Sequence, residues 1–284
     1  MKIVINGIEL AYELENERQL GDLLPAIQQY LLGSEQLVYE MRVDGSVACV
    51  NDYAKDITSI EIVEIDSGAI LEIEECITRC KNLLQRVESG VGCDLHKCSG
   101  NITLWVKNCE FWLQDFSLPS DVFHALLRLP YIVDSDEDIS LYTKSLSIVL
   151  RCLEERDREL ENPVGIVFES IQGLIEKEES LRNLGVNLQS NQDATSVYEI
   201  LLFTESLQKL KRMIKLLPEN LDSLYHELYA WIEDISQQLA GLIEAFDQKD
   251  FVLVADLAEY EVAERLSVLQ DVITRYAAFM EPRE

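Results

Sequence analysis

The chain has 284 residues and 48% of them are hydrophobic, so it can bury a sizeable core and has the length of about two domains. It carries 24 basic and 52 acidic residues, and the resulting net charge of −28 repels phosphate backbones and argues against a nucleic-acid partner. No apolar run reaches the roughly 18 residues of a membrane span, and no signal peptide is recognisable, so we expect a soluble, cytoplasmic protein without membrane insertion.

The first 65 residues predict a small α/β domain. Residues 2–6 and 8–14 alternate apolar and polar positions as strands do, and Asn6-Gly7 between them is a strong hairpin signal. An amphipathic helix follows, and Gly33 lies where a helix C-cap is expected. The later strand predictions are residues 37–43, 47–50 and 60–65, with an Asp44-Gly45 turn after the first. The predicted order is ββαβββ, in which the short fourth strand is optional.

This order, with the Asp44-Gly45 turn and the Ile-rich closing strand, resembles the ubiquitin-like β-grasp modules, which include the small sulfur-carrier proteins. A sulfur carrier needs a free Gly-Gly terminus for its thiocarboxylate. At the matching place this chain reads Asp66-Ser67-Gly68-Ala69 and continues. The resemblance therefore implies a docking or regulatory module over residues 1–66, without carrier chemistry.

From Ile70 onward the apolar spacing changes to the steps of three and four that are typical of amphipathic helices. Such stripes predict helices around residues 70–87, 102–116, 139–153, 164–181 and 197–217. The predicted core positions of the last stripe are Val197, Ile200, Thr204, Leu207, Leu210, Ile214 and Leu217. The predicted fold class is thus mainly α, with a small N-terminal α/β (β-grasp-like) domain at 1–66 and a long antiparallel helical bundle at 67–284.

The longest apolar stripe occupies residues 217–246 and predicts a helix about 45 Å long, with Pro218 in its first turn. A polar break at 247–250 follows it, and a second stripe then continues to Tyr276. Two long stripes joined by a short break predict a C-terminal helical hairpin at about 217–280.

One group of residues has the composition of a metal or redox site. Cys93, His96 and Cys98 lie in a Gly-rich loop, and Cys76 and Cys80 are one turn apart on the preceding helix. Thiolates and an imidazole bind zinc, but the spacing does not match the common zinc motifs. Ordinary reduced cysteines and no metal ligand are the favoured interpretation, and a metal- or redox-responsive regulator that uses the loop cysteines is the alternative.

Catalytic motifs are missing from the sequence. It contains no Gly-x-Ser-x-Gly, no phosphate loop and no dinucleotide fingerprint, and its three histidines are His96, His124 and His226. We therefore predict no catalytic residue, no cofactor and no enzymatic activity. A short basic run, Lys209, Lys211, Arg212 and Lys215, is interpreted as cations at the C-terminal end of a helix rather than as a nucleic-acid site.

The predicted partner-binding residues are Tyr225, Tyr229 and Trp231 in the longest helix. The two tyrosines are offset by one position from Leu224 and Leu228, so they cannot share the same buried face. Exposed aromatic side chains supply much of the binding energy at protein interfaces. The alternative is a thick core in which these rings pack against several neighbouring helices.

In its acidity, helical content and lack of catalytic motifs the chain resembles the export chaperones of flagellar and type III secretion systems, and the uncharacterised acidic bacterial protein families. The resemblance implies a non-enzymatic protein-interaction factor, such as an adaptor, a scaffold or a chaperone. We expect it to bind a protein partner through its helical body. The sequence does not decide whether the chain forms a homo-oligomer.

Overall fold

The computed structural model describes residues 1–11, 17–48, 50–88, 99–128, 136–190 and 193–276. The chain divides into two compact units, Met1–Asp157 and Arg158–Glu284. The first unit contains two hydrophobic cores, one beneath a sheet and one among helices, and the second contains a single helical core. The predicted class, mainly α with a small N-terminal α/β domain, is confirmed.

The sheet at the start of the first unit has five strands: β1 (Lys2–Ile5), β2 (Ile8–Leu10), β3 (Gln36–Val43), β4 (Ser46–Val47) and β5 (Ile62–Ala69). Their spatial order is β2-β1-β5-β3-β4, with β1 and β5 parallel and the other neighbours antiparallel. One helix, α1 (Leu20–Leu32), lies between β2 and β3 in the chain. The element order is the predicted ββαβββ.

Two turns of the sheet follow directly from their residues. Asn6 and Gly7 have φ values of 50° and 80°, and Asp44 and Gly45 have 50° and 82°. Two successive left-handed residues make the type I′ turn that joins antiparallel strands with the correct twist, and Asn-Gly and Asp-Gly favour it. Both predicted turns are confirmed.

The end of α1 differs in detail from the prediction. Gly33 occupies the C-cap but has φ −62°, and the left-handed residue of this connection is Glu35, with φ 54°. The amide of Gly33 donates to the carbonyl oxygen of Gln29, which continues helical bonding by one more residue. The left-handed residue at which the chain turns away from the helix is therefore Glu35, two residues after the glycine.

The sheet and α1 share a core in which alternate strand residues point at the apolar face of the helix. Its buried members are Ile3, Leu20, Leu23, Ile27, Leu31, Met41, Val43, Ile57, Ile60, Val63 and Ile65. This core is separate from the helical core of the same unit.

Strand β5 is longer than predicted, since it continues beyond residue 65 to Ala69. Its last residues pair with the start of β3, where Gly68 lies opposite Leu37 and Ala69 opposite Gln36. The residues matched with the end of a sulfur carrier are therefore part of a central strand. The predicted domain boundary at residues 66 and 67 stays a prediction, and the compact unit that holds the sheet continues to Asp157.

Four helices complete the first unit: α2 (Ile73–Glu88), α3 (Ser99–Trp112), α4 (Asp121–Arg128) and α5 (Asp136–Glu161). The boundary between the compact units falls within α5. Their buried residues are Ile73, Cys76, Ile77, Cys80, Leu83, Ile102, Trp105, Val106, Cys109, Leu113, Val122, Leu126, Tyr142, Leu146, Val149, Cys152 and Leu153.

The connection from β5 to α2 is fixed to α3 by side-chain hydrogen bonds. Oδ1 of the buried Asn108 accepts from the amide of Leu71 at 2.7 Å, and its Nδ2 donates to the carbonyl of Leu104 at 2.9 Å. Nε1 of Trp112 donates to the carbonyl of Leu71 at 2.9 Å. A Cβ added to Gly68 would lie 2.9 Å from the Leu104 side chain, so the backbone approaches α3 closely at this point.

The second unit consists of α6 (Pro163–Ile175), α7 (Glu178–Arg182), α8 (Leu184–Gln189), α9 (Asp193–Met213), α10 (Asp222–Asp247), α11 (Phe251–Asp256) and α12 (Glu264–Tyr276). A π-helical segment, Leu257–Ala263, joins α11 to α12. The single helix predicted over residues 164–181 was wrong, because α6 ends at Ile175 and a two-residue turn, Glu176 and Lys177, separates it from α7. Within the described residues, no helix combines the length and the apolar character needed to cross a membrane.

Helix α10 begins five residues later than its apolar stripe suggested. Leu217 and Pro218 are extended, with ψ values of 137° and 153°, and a 3-10 turn at Glu219–Leu221 precedes the helix. After α10, Lys249 adopts φ 59° and the carboxylate of Asp250 accepts from the amide of Leu253 at 3.1 Å. The polar break therefore ends one helix and caps the next.

Helices α10 and α12 run antiparallel. The Phe246 ring meets the Phe251 ring next to the turn, and further away Arg265 bonds Asp234 at 2.5 Å. Further still from the turn, Arg275 bonds Glu227. The sequence separation between paired residues therefore increases with distance from the turn. This pattern is typical of two antiparallel helices in a hairpin.

Candidate protein-interaction site

Three aromatic rings form a cluster near the start of α10, and we call Tyr225, His226 and Tyr229 the aromatic cluster. The rings of Tyr225 and Tyr229 stack with centroids 5.9 Å apart and an interplanar angle of 28°. The imidazole of His226 meets the Tyr225 ring edge to face at 5.3 Å. Nε2 of His226 also lies 3.4 Å from a carboxylate oxygen of Asp222, one turn earlier.

The helical period places this cluster at the surface. The core stripe of α10 includes the fully buried Leu224 and Leu228. Each tyrosine follows one of these leucines, so it is rotated by about 100° to the flank of the helix. The Tyr225 ring packs partly against the core, whereas Tyr229 keeps 45% of its surface exposed. The flank is thus apolar, and it is accessible at the end where Tyr229 lies.

The structure does not bring Trp231 together with the two tyrosines. Its indole is 8% exposed and belongs to the core of the second unit. Nε1 donates to the carbonyl oxygen of Arg265 at 2.9 Å, so the ring faces the hairpin partner of α10. Of the three predicted partner-binding residues, two lie on a surface flank and the third supports the hairpin from inside.

Ion pairs with α12 occupy the opposite flank of α10. The guanidinium of Arg265 bonds Asp234 and also Glu261, which lies in the preceding π-helical segment, and these hydrogen bonds raise the pKa of Arg265 above its usual value. Arg275 bonds Glu227, and that bond likewise raises the pKa of Arg275. This flank is therefore occupied by contacts within the hairpin, and the flank with the aromatic cluster is the one that offers apolar surface.

The basic run of α9 also has structural partners. Nζ of Lys211 lies 3.2 Å from a carboxylate oxygen of Glu233, and Arg212 forms a buried pair with Glu159. These contacts agree with a structural role for the run.

The alternative of a metal or redox site depends on Cys93, His96 and Cys98, which lie outside the described residues. Cys76 and Cys80, which the sequence placed beside them, are fully buried in the helical core of the first unit. Among the described residues, no three His, Cys, Asp or Glu side chains come together as a metal site would require.

Burial makes the core thiols unreactive. Desolvation raises the pKa of Cys80 to about 12, and Sγ of Cys80 lies 3.4 Å from the carbonyl oxygen of Leu146. The pKa of Cys109 is also raised well above the usual value, first by desolvation and then by its hydrogen bond with Cys76. Because the thiolate is the reactive form, these cysteines act as small apolar side chains.

Sequence reasoning missed a second apolar surface, on α9. Val197 was predicted to be a core position, but it is 48% exposed, and the neighbouring Tyr198 and Leu201 are 57% and 51% exposed. The buried face of α9 contains Leu207 and Leu210, as predicted, together with Ser196 and Phe203, which were not predicted. The signal in the sequence was a second series of apolar residues at helical spacing, offset by one position from the first.

Two protein-family models match parts of the chain. Residues 1–69 match the TP0873 N-terminal domain, which ends at the last residue of β5. Residues 166–272 match a domain of unknown function, DUF8042, which covers most of the second unit and includes the aromatic cluster. Comparison with curated proteins and with solved structures gave no match.

Proposed function

We propose that this chain is a non-enzymatic protein-interaction factor, an adaptor, scaffold or chaperone of the cytoplasm, that binds a partner protein through its second compact unit. The observation that carries the proposal is the aromatic cluster of α10, where Tyr229 offers a half-exposed ring held in place by stacking on Tyr225. A ring that is already immobilised loses little conformational entropy when a partner covers it.

The chemistry of the cluster favours a protein partner. Tyrosine combines a large apolar ring with one hydroxyl, and it is among the residues most enriched at the centres of protein interfaces. The net charge of −28 opposes nucleic acid, and in the short basic run Lys211 and Arg212 are paired with Glu233 and Glu159. We therefore assign the cluster to a polypeptide surface that presents an apolar pocket.

The β-grasp-like sheet domain would then serve as a second docking or regulatory module. Its strand β3 carries Arg42, which pairs with Glu40, Glu64 and Asp66. These carboxylates raise the pKa of Arg42, with Asp66 making the largest contribution. One cation among three carboxylates leaves this cluster acidic, so a partner that binds it would present basic groups.

The test uses the full chain as bait in a lysate of the source cells, with partners identified by mass spectrometry and the strongest one then purified. Tyr229→Ala should weaken that partner's binding about tenfold or more, as expected for a central aromatic contact. The matched control is Tyr260→Ala, because Tyr260 lies in the same unit and is 55% exposed.

Equal affinities for Tyr229→Ala, Tyr260→Ala and the unchanged chain would overturn the assignment of the site. Circular dichroism of each variant shows that the helices are intact, so a loss of binding by Tyr229→Ala reports the surface and not the fold. A bait that retains no protein above background would overturn the proposed function itself.

A further inference from the structure

Two cysteine side chains meet between α2 and α3, and we call Cys76 and Cys109 the thiol pair. Both residues are completely buried in the helical core of the first unit, and their side chains are hydrogen-bonded to each other. A second contact joins the same two helices, because Nε1 of Trp105 donates to the carbonyl oxygen of Cys76 at 3.2 Å. Trp105 and Cys109 are four residues apart on α3, so they lie on the same side of that helix. This side of α3 therefore faces Cys76 and holds the two thiols next to each other.

The neighbouring thiol of Cys80 does not compete for this contact. Cys76 and Cys80 are four residues apart on α2, and side chains with this spacing have Cβ atoms about 5–6 Å apart. A disulfide needs Cβ atoms about 3.5–4.5 Å apart, so these two cysteines cannot form one while α2 stays helical. Sγ of Cys80 also donates to the carbonyl oxygen of Leu146 at 3.4 Å, which directs it toward α5. Cys109, on another helix, is thus the disulfide partner that the fold places beside Cys76.

Adjacent thiols are converted to a disulfide when an oxidant accepts two electrons, and a peroxide is such an oxidant. The thiolate of one cysteine attacks a peroxide oxygen, the O–O bond breaks, and the products are a sulfenic acid and water. The second thiolate then attacks the sulfenic sulfur, the S–O bond breaks, and the hydroxyl group leaves with the remaining proton as a second water. In balance, two thiols and one hydrogen peroxide give one disulfide and two waters.

Burial controls when this reaction occurs. The thiolate is the reactive form, and removal from water raises the pKa of Cys109 well above its usual value. Neither cysteine is exposed to a dissolved oxidant while α2 and α3 are packed together. Oxidation therefore requires a local opening in which α3 separates from α2, and the disulfide forms when the two helices pack again. The rate of oxidation is then set by how often the core of the first unit opens.

We propose that the thiol pair is a reversible oxidation site, at which a peroxide generates a disulfide that cross-links α2 to α3. The disulfide closes a loop from residue 76 to residue 109, and such a cross-link stabilises a fold mainly by restricting the unfolded chain. Oxidation thus makes the first unit more stable, and a thiol reductant restores the original state. The proposal uses no cysteine of the Gly-rich loop, and it is independent of the aromatic cluster, which lies in the second unit.

The test treats the reduced full chain with hydrogen peroxide, blocks the remaining thiols with iodoacetamide in denaturant, and identifies disulfides by mass spectrometry after digestion with trypsin. Trypsin cleaves after lysine and arginine, so each of the seven cysteines falls in a different peptide. Cys76 lies in the peptide 56–79 and Cys109 in the peptide 108–128. We expect these two peptides to be joined and to separate after reduction. Urea below the unfolding transition should accelerate their joining, because it increases the population of the open form.

Variants assign the disulfide to the thiol pair. Cys109→Ala and Cys76→Ala should each abolish the joined peptides, whereas Cys80→Ala should leave them. Cys80 is the matched control because it lies on the same helix as Cys76 and is equally buried. Urea unfolding followed by circular dichroism gives a second readout. Oxidation should raise the unfolding midpoint of the unchanged chain and of Cys80→Ala, and it should leave the midpoint of Cys109→Ala where it was.

Three results would overturn the proposal. The first is the absence of the joined peptides after peroxide treatment, both with and without urea. The second is a disulfide that joins Cys76 to Cys93 or Cys98, which would assign the chemistry to the Gly-rich loop. The third is an oxidised chain that contains the joined peptides but unfolds at the same midpoint as the reduced chain, which would show that the disulfide does not stabilise the first unit.

Discussion

Arg212 and Glu159, 53 residues apart in sequence, form an ion pair that is almost entirely removed from solvent. Nη2 of Arg212 lies 2.6 Å from Oε1 of Glu159, and Nε lies 3.2 Å from both carboxylate oxygens. The side chains are 8% and 1% exposed. The pair joins the last turn of α5 to the last turn of α9.

Removal of one partner should leave a buried charge without its counterion. We expect Arg212→Ala to lower the free energy of unfolding by about 3–5 kcal/mol. Replacement of both residues by methionine should recover most of this loss, because no isolated charge remains. Urea unfolding followed by circular dichroism measures both effects. The control is Lys211→Ala, which breaks a surface pair worth about 1 kcal/mol or less. A similar loss of unfolding free energy in Lys211→Ala and Arg212→Ala would show that burial does not make the Arg212–Glu159 pair more important than a surface pair.

The hydrogen bonds of Asn108 should hold the connection between the sheet and the helices of the first unit. Asn108→Ala leaves the amide of Leu71 without its partner and should cost about 1–3 kcal/mol. The same variant should accelerate hydrogen exchange at the Leu71 amide, measured by mass spectrometry of the full chain. Lys107→Ala, on the same helix but partly exposed, is the control and should change neither quantity appreciably. Unchanged exchange at Leu71 in Asn108→Ala would show that the connection is held by packing alone.

The raised pKa of Cys80 should make stability depend on alkaline pH. In the unfolded chain this thiol ionises near pH 9, whereas in the folded chain its pKa is about 12. Between these values the unfolded state loses the proton first, so the contribution of the buried thiol is complete below pH 9 and decreases as pH rises. We expect the stability difference between the unchanged chain and Cys80→Ala to shrink by about 1.4 kcal/mol per pH unit above 9. Urea midpoints measured at pH 8, 9 and 10 test this, and a difference that does not vary with pH would refute it.

The turn between α10 and α11 contains a lysine where glycine is preferred. Lys249 has φ 59°, which is costly for a residue with a Cβ atom. We therefore expect Lys249→Gly to raise the free energy of unfolding by about 1 kcal/mol. The adjacent Gln248 has φ −77°, so Gln248→Gly gains nothing and should lower stability. Thermal unfolding measures both the expected gain in Lys249→Gly and the expected loss in Gln248→Gly. A lower stability of Lys249→Gly would show that the left-handed backbone at this position is not strained.

The sequence by itself determined the local geometry of this protein. Asn6-Gly7 and Asp44-Gly45 specify type I′ turns, because they tolerate two successive left-handed residues, and both turns are present. The change of apolar period after Ile70 separated strands from helices correctly. The aromatic flank of α10 also followed from the one-residue offset of Tyr225 and Tyr229 from the leucine stripe. These features depend on residues that are close in sequence.

Only the tertiary structure decided which surfaces are buried. Period alone could not choose between the two apolar faces of α9, and the neighbouring helices placed Phe203 inside and Val197 outside. Trp231 lies in the core, where its indole donates a hydrogen bond to the carbonyl oxygen of Arg265, 34 residues away in sequence. The extension of β5 likewise required pairing with β3. Burial is a property of contacts between distant segments, so a pattern within one helix or strand predicts its faces but not the partner that covers them.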